Sequence, residues 1–422
     1  MGDNDALPDI ESVGEDFFAD PYASYARWRE RGPVHRVRLQ RNGLVVWVII
    51  GYEEGRAALT DPRLLKNPQG MTELFRRKNL AVMTDGFDFS GHMLNADPPD
   101  HTRLRKLVTK AFTARRVAAL RPRIEEITEE LLDAMDGHDE VDLLHAFAVP
   151  LPVTVICELL GVPIQDRDRF QRWTRVLTGG TRGGDTEILT AGTDMSKYLH
   201  ALVRAKQEQP EDDLLSALVH AGRHDHAEDD TTSRGQDPTT PHWLSEQELV
   251  SMAFLLLVAG HETTVNLIAN GTRALLHNPS QLRALRADLS AVPSAVEEFL
   301  RYDGPAGWST YRFTDEPIQI GGTEIPAGEF VRIALAATNR DPSRFTDPET
   351  LDLTGDPNGH LGFGHGIHYC VGAPLARLEA DIAFRGLLRR FPALALPAHA
   401  ESPIWQSSML IRGMTEFPVR LR

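Results

Sequence analysis

One stretch restricts the possible folds more than any other. Residues 245–277 contain no proline. Ser245 and Glu248 form a Ser-x-x-Glu capping box ahead of an apolar run, and Asn278-Pro279 closes it. At ~1.5 Å per residue such a helix would reach roughly 50 Å, enough to cross a whole domain. Between positions 252 and 259 it is apolar nearly all round, which predicts a buried centre and not a surface stripe. Its first glycine, Gly260, stands beside the polar group His261, Glu262, Thr263 and Thr264. A chain built round this rod is expected to be mainly α, with other helices packed on it.

The rest of the chain agrees. Residues 115–135 carry Val117, Leu120, Ile124, Ile127, Leu131 and Leu132 at helical spacing, and 151–160, 194–206, 212–221 and 293–302 read as helices too. Near the start, 34–40 and 44–50 are rich in β-formers, and Asn42-Gly43 between them suits a tight hairpin. Residues 179–185 and 220–242 read as surface loops. No internal repeat is present.

Composition excludes several classes. The 422 residues carry 45 basic and 60 acidic side chains, a formal charge of −15, which argues against nucleic-acid binding. No continuous apolar run reaches the ~18 residues of a membrane span. The N-terminus lacks a signal-peptide pattern, so a cytoplasmic, unanchored protein is expected. The two cysteines exclude a disulfide framework. Cys157, among Val, Ile and Leu, reads as a small buried hydrophobe. The acidic average hides a local reversal. From 101 to 124 there are eight basic residues and no acidic one. Such a run is usually a solvated face, but here it could dock an acidic partner.

Cys370 lies in Phe363-Gly-His-Gly-Ile-His-Tyr-Cys-Val-Gly372, just before a helical pattern opened by Pro374. Amides at a helix start favour a thiolate, the form that ligates iron. An inert thiol, a redox thiol or a zinc site with His365 and His368 stay open, although a closed zinc site wants four ligands. His261-Glu262 lacks the second histidine of a zinc-protease helix, since Thr264 and Val265 follow. What remains is an acid beside two hydroxyls, either a kinked helix or a proton-delivery pair in a groove. Glu298 and Arg301 sit one helical turn apart and can pair.

In this order the stretches resemble the signature set of the cytochrome P-450 superfamily. Phe363-x-x-Gly-x-His-x-Cys370-x-Gly372 is similar to its haem loop, Ala259-Gly-His-Glu-Thr-Thr264 to its oxygen-activating motif, and Glu298-x-x-Arg301 to its K-helix motif. Asp97-Pro-Pro-Asp-His101-Thr-Arg-Leu-Arg105 is similar to the C-helix pattern of soluble bacterial members. The likeness runs from about residue 20 to the C-terminus and looks closest to actinomycete macrolide and polyketide hydroxylases. One departure is Gly355, where relatives usually carry arginine.

The resemblance implies a single domain, residues 1–422, mainly α with a small β-rich region, residues 1–19 being loosely ordered. It implies haem b with Cys370 as axial thiolate, and His101, Arg105, Arg312 and His368 on the propionates. Ala259, Phe363, Gly364 and Gly372 would lie against the haem. Glu262 and Thr263 would be the acid–alcohol pair that moves protons toward the oxygen being activated, and Glu298 with Arg301 would lock the fold. The implied reaction is hydroxylation or epoxidation of an apolar secondary metabolite by O2, a macrolide or polyketide first, a steroid or terpenoid next. Electrons would come from NAD(P)H through a ferredoxin reductase and a ferredoxin. Arg103, Lys106, Lys110 and Arg115 would contribute to the ferredoxin surface. Leu94, Phe254, Val258, Trp308 and Met409 are candidate pocket residues, with 80–94 as a covering loop. A monomer is expected. The competing readings are a haem-thiolate peroxygenase or phenol-coupling enzyme, which Thr263 argues against, and a non-catalytic haem sensor.

Overall fold

The computed structural model describes residues 9–40, 42–79, 88–178, 184–221, 243–398 and 401–422. The smaller of its two regions is a mixed sheet. Its strands are β1 (Ile10–Val13), β2 (Val34–Leu39), β3 (Val45–Ile49), β4 (Leu64–Leu65), β5 (Arg312–Thr314) and β6 (Phe330–Ile333). They lie in the order β1-β2-β3-β6-β5-β4, with β1 parallel to β2, β3 parallel to β6 and the other pairs antiparallel. The hairpin joining β2 to β3 forms at Asn42-Gly43 as expected. Gly43 takes φ +69°, and Asn42 Oδ1 accepts from the Leu44 amide at 3.1 Å. Side chains alternate across a strand, so the sheet feeds two cores. Val46 and Val48 join Trp28 and Trp308 on one face; Trp47 and Ile49 join Val331 and Ile333 on the other.

The N-terminal segment departs from expectation. Within residues 9–19, β1 pairs with β2, and Phe17 is buried with its ring stacked on Trp28 at 6.0 Å. An aromatic anchor and a paired strand order residues 9–19 of the segment expected to be loose, and residues 1–8 lie outside the described residues. The helix expected over 115–135 is also two helices, Ala114–Ala119 and Arg121–Met135. Pro122 has no amide to donate and its ring disfavours helix before it, so the chain restarts there.

Five helices matter for the site: α1 (Asp100–Ala111), α2 (Pro150–Leu160), α3 (Glu246–His277), α4 (Val292–Asp303) and α5 (Ala373–Arg390). The long helix α3 is continuous, and both halves of its capping box form. Ser245 Oγ accepts from the Glu248 amide at 3.2 Å, and the Glu248 carboxylate accepts from the Ser245 amide at 2.8 Å. By length and composition α3 could cross a membrane, yet most of its apolar stretch is buried against α2, α4 and α5. Its closest neighbour is α2, and Gly260 makes that approach possible: a Cβ there would lie 2.7 Å from Ile156 Cδ1.

Candidate functional site

The loop before α5 is shaped by glycine. Gly364 and Gly366 take φ of +72° and +73°, where a side chain is strained. At Gly366 a Cβ would also meet Thr60 Cγ2 at 2.7 Å. The Leu361 amide donates to Asn339 Oδ1 at 2.6 Å and the Cys370 amide to the Phe363 carbonyl at 3.0 Å. These bonds present Cys370 to a cavity of about 260 Å³. The thiol is exposed where it meets that cavity, yet protein packs densely around it. Burial pushes its pKa up; the amides of Gly372 and Ala373 and the guanidiniums of Arg105 and Arg377 pull the other way without prevailing. The helix-end effect expected from sequence is therefore present but outweighed. A thiolate here calls for a stronger positive partner, such as a bound metal ion.

One cavity gathers most of the expected residues. Phe363, Gly364, His368, Cys370 and Gly372 come from the loop, His101 and Arg105 from α1, Arg312 from β5, and Ala259 and Thr263 from α3. The His101 and His368 rings meet edge to face at 4.5 Å. Burial, and then the neighbouring cations, lower the pKa of both imidazoles. His101 Nε2 and Arg312 Nε are buried without a hydrogen-bond partner among the described residues. Thr263 Oγ1 donates to the Ala259 carbonyl at 2.8 Å, the back-bond expected of a hydroxyl in an apolar helix.

The sequence profile of the cytochrome P-450 family matches residues 185–417. Cytochrome P-450 107B1 of Saccharopolyspora erythraea is 50% identical over 98% of both chains. This chain belongs to the cytochrome P-450 family. The 6-deoxyerythronolide B hydroxylase of the same organism is 43% identical over 98% of this chain and 99% of its own. A solved structure of the tirandamycin C-bound P-450 monooxygenase TamI is 47% identical with a TM-score of 0.87, covering 98% of this chain and all of that one. The family implies haem and O2, and the chain is a P-450 monooxygenase by its relatives. The residues present fit a haem: a cysteine bordering an apolar cavity, and at one edge of it basic groups with polar atoms left unpaired.

Other expectations need correction. Glu262 does not line the main cavity. It lines a second one of about 150 Å³ with His261, Val265, Asn266 and Gln406. Three polar atoms of these residues, His261 Nε2, Asn266 Oδ1 and Gln406 Oε1, are buried without a hydrogen-bond partner among the described residues, although His261 Nε2 lies 3.7 Å from the Glu262 carboxylate; water satisfies atoms of this kind. Phe254 and Val258 are also off the main wall. At 3.6 residues per turn, Phe254 lies about two and a half turns from Thr263, hence on the opposite side, and Val258 about 1.4 turns away. Phe254 stacks on Phe89 at 4.0 Å instead. Leu255, Leu256 and Ala259 face the cavity. Met409 packs beneath the sheet, while Leu410 takes its expected place. Leu94 and Trp308 line the cavity as expected. Of the covering segment, 80–87 lies outside the described residues, and Met93 joins Leu94 on the wall.

Arg103 is not on an open surface. It pairs with Glu248 at the start of α3 and donates to the Trp243 carbonyl at 3.2 Å. Lys106, Lys110 and Arg115 are exposed. The Glu298–Arg301 pair is buried and bidentate, both bonds being 2.7 Å. Arg301 also donates to the carbonyls of Asn339, Pro348 and Thr350, and Glu298 accepts from the Asp352 amide. At Gly355 the turn closes on Asp352 without an arginine. Cys157 is buried, its thiol pushed up to about 12 by burial, which suits an inert core residue. Sequence reasoning missed Lys66, a buried lysine on the cavity edge. A lone lysine in a loop gives no pattern to find it by.

Proposed function

We propose that this chain hydroxylates or epoxidises an apolar macrolide- or polyketide-type substrate as a cytoplasmic monomer. In this reading Cys370 would hold the iron of haem b through its thiolate, and two electrons would come from NAD(P)H through a ferredoxin reductase and a ferredoxin. The observation that carries it is the meeting of Cys370 and Thr263 on one cavity whose wall is otherwise largely apolar. When bound, the haem supplies the oxidative chemistry, one atom of O2 entering a substrate C–H or C=C bond and the other leaving as water.

The chain's own residues do the rest. Arg105, Arg312, His101 and His368 would hold the propionates, where charge-assisted bonds are strong. Ile156, Leu255, Leu256, Trp308 and Leu410 exclude water and shape the substrate site. The fixed rotamer of Thr263 keeps its oxygen at the cavity wall. Glu262 takes protons from the second, polar cavity and passes them round the helix toward Thr263. The relatives that act on macrolides and polyketides support the substrate class. Lys106, Lys110 and Arg115 form the docking face for an acidic ferredoxin.

The test is the absorption spectrum of the reduced protein under carbon monoxide, followed by titration with macrolides, polyketides, steroids and terpenoids. A strongly red-shifted Soret band, absent in Cys370→Ser, and a spin-state shift with a macrolide or polyketide are expected. A haem band without the red shift removes Cys370 from the role. A shift with steroids or terpenoids alone removes the substrate class.

A further inference from the structure

Lys66 follows β4 and is 4% exposed. A lysine so deeply buried needs an anion or gives up its proton. Its ammonium donates to Thr310 Oγ1 at 2.7 Å, a neutral hydroxyl. Among the described residues no carboxylate lies within ion-pair distance of it. Asp97 is the acid whose field reaches it, but that carboxylate is already engaged. It accepts from the amides of Lys66 and Asn67 and from the Asn67 side chain, at 2.9 to 3.1 Å. Lys66 lines the same cavity as Cys370.

Arg105 and Arg312 share that edge, also without a carboxylate in ion-pair range among the described residues. The edge thus gathers three basic side chains, and the carboxylates whose fields reach them, Asp97 and Asp61, are engaged elsewhere, Asp97 by backbone amides and Asp61 by Arg63. A haem b carries two propionates. Lys66, Arg105 and Arg312 are the basic side chains on that edge with no carboxylate in ion-pair range among the described residues.

We propose that Lys66 is a further haem-propionate anchor, its ammonium pairing with one propionate while Thr310 aims it. This rests on the haem reading above. The same chemistry could serve a carboxylate on a substrate, and the experiment separates the two sources. Holoenzymes of the wild type, Lys66→Met, Lys66→Gln and Lys66→Arg are mixed with excess apomyoglobin, and haem transfer is timed. Each is also reconstituted with haem dimethyl ester, whose propionates carry no charge.

With natural haem, Lys66→Met and Lys66→Gln are expected to lose it about tenfold faster than the wild type, as befits one lost charge-assisted bond. Lys66→Arg is expected to stay near the wild type. With the ester the ratio should fall toward one. Equal loss rates with natural haem overturn the proposal, as does an acceleration that persists with the ester. So does an unchanged haem affinity with loss of the spin-state response to lauric acid, which gives Lys66 to the substrate. Lys66→Gln covers the case in which Lys66→Met does not fold. A wild type that lacks the red-shifted carbon monoxide band fails the Cys370 reading, whereas the transfer ratios test Lys66 separately.

Discussion

Replacing Glu298 with glutamine tests whether the α4 ion pair holds the haem loop. Glu298 is 2% exposed and accepts two bonds from Arg301 and one from the Asp352 amide. Glutamine keeps the shape and one acceptor oxygen but removes the charge. Arg301 is then left buried, its charge unmatched, with three backbone carbonyls. Breaking a buried pair from one side costs about 3–5 kcal/mol. The retained oxygen puts Glu298→Gln near the lower end, about 3 kcal/mol. In urea, with a slope of at least about 3 kcal/mol per M for a chain of this size, the midpoint should fall by up to about 1 M. The chain from Asn339 to Thr350 is fastened by Arg301, and Asn339 in turn holds the Leu361 amide. The red-shifted carbon monoxide band should therefore vanish at lower urea than the fluorescence change. The measurement is urea titration of both holoenzymes by tryptophan fluorescence and Soret absorbance. A loss under about 1 kcal/mol, the range of exposed pairs, with both probes moving together, refutes the reasoning.

Four other outcomes are expected. Gly260→Ala places a methyl against Ile156 and should destabilise the fold by about 1–3 kcal/mol, with Ile156→Val restoring part of it in the double variant. At Glu297, burial pushes the carboxyl up, but bonds from Arg377 and His360 carry it down to about 2. Its contribution is thus full above about pH 4.5 and is lost as pH falls toward 2, so unfolding curves of Glu297→Gln and wild type should differ at pH 7 and converge in acid. Thr263→Ala should divert electrons to peroxide, read as a lower ratio of product to NAD(P)H consumed; unchanged coupling would remove Thr263 from the proton path. Reversing Lys106 and Arg115 to glutamate should slow the first electron transfer from ferredoxin at low salt and lose that effect at high salt.

Local chemistry made much of this fold legible. The capping box at Ser245 and Glu248 marked the start of α3 to within a residue, because capping is decided by neighbours in sequence. Asn42-Gly43 gave the hairpin for the same reason. The cysteine loop was readable from its glycines. What escaped depended on distant partners or on which face of the long helix each residue takes. Arg103 looked like a surface charge because Glu248, its partner, stands far along the chain. The order of residues 9–19 comes from Phe17 meeting Trp28. The faces of Phe254 and Val258 are fixed by the position of Thr263, since all three stand on one helix. Lys66 carried no local signal, because its importance arises from the charges that β4, α1 and β5 assemble around it.

Residues 262 and 263 are neighbours in sequence yet border different compartments. A helix turns about 100° per residue, so the side that selects a substrate and the side that meets the polar compartment are separately editable. A library confined to positions 255, 256, 259 and 410 re-lines one compartment and leaves Glu262, Val265 and Asn266 in place. Variants drawn from it should diverge in which molecules they oxidise while keeping the electron economy of the parent.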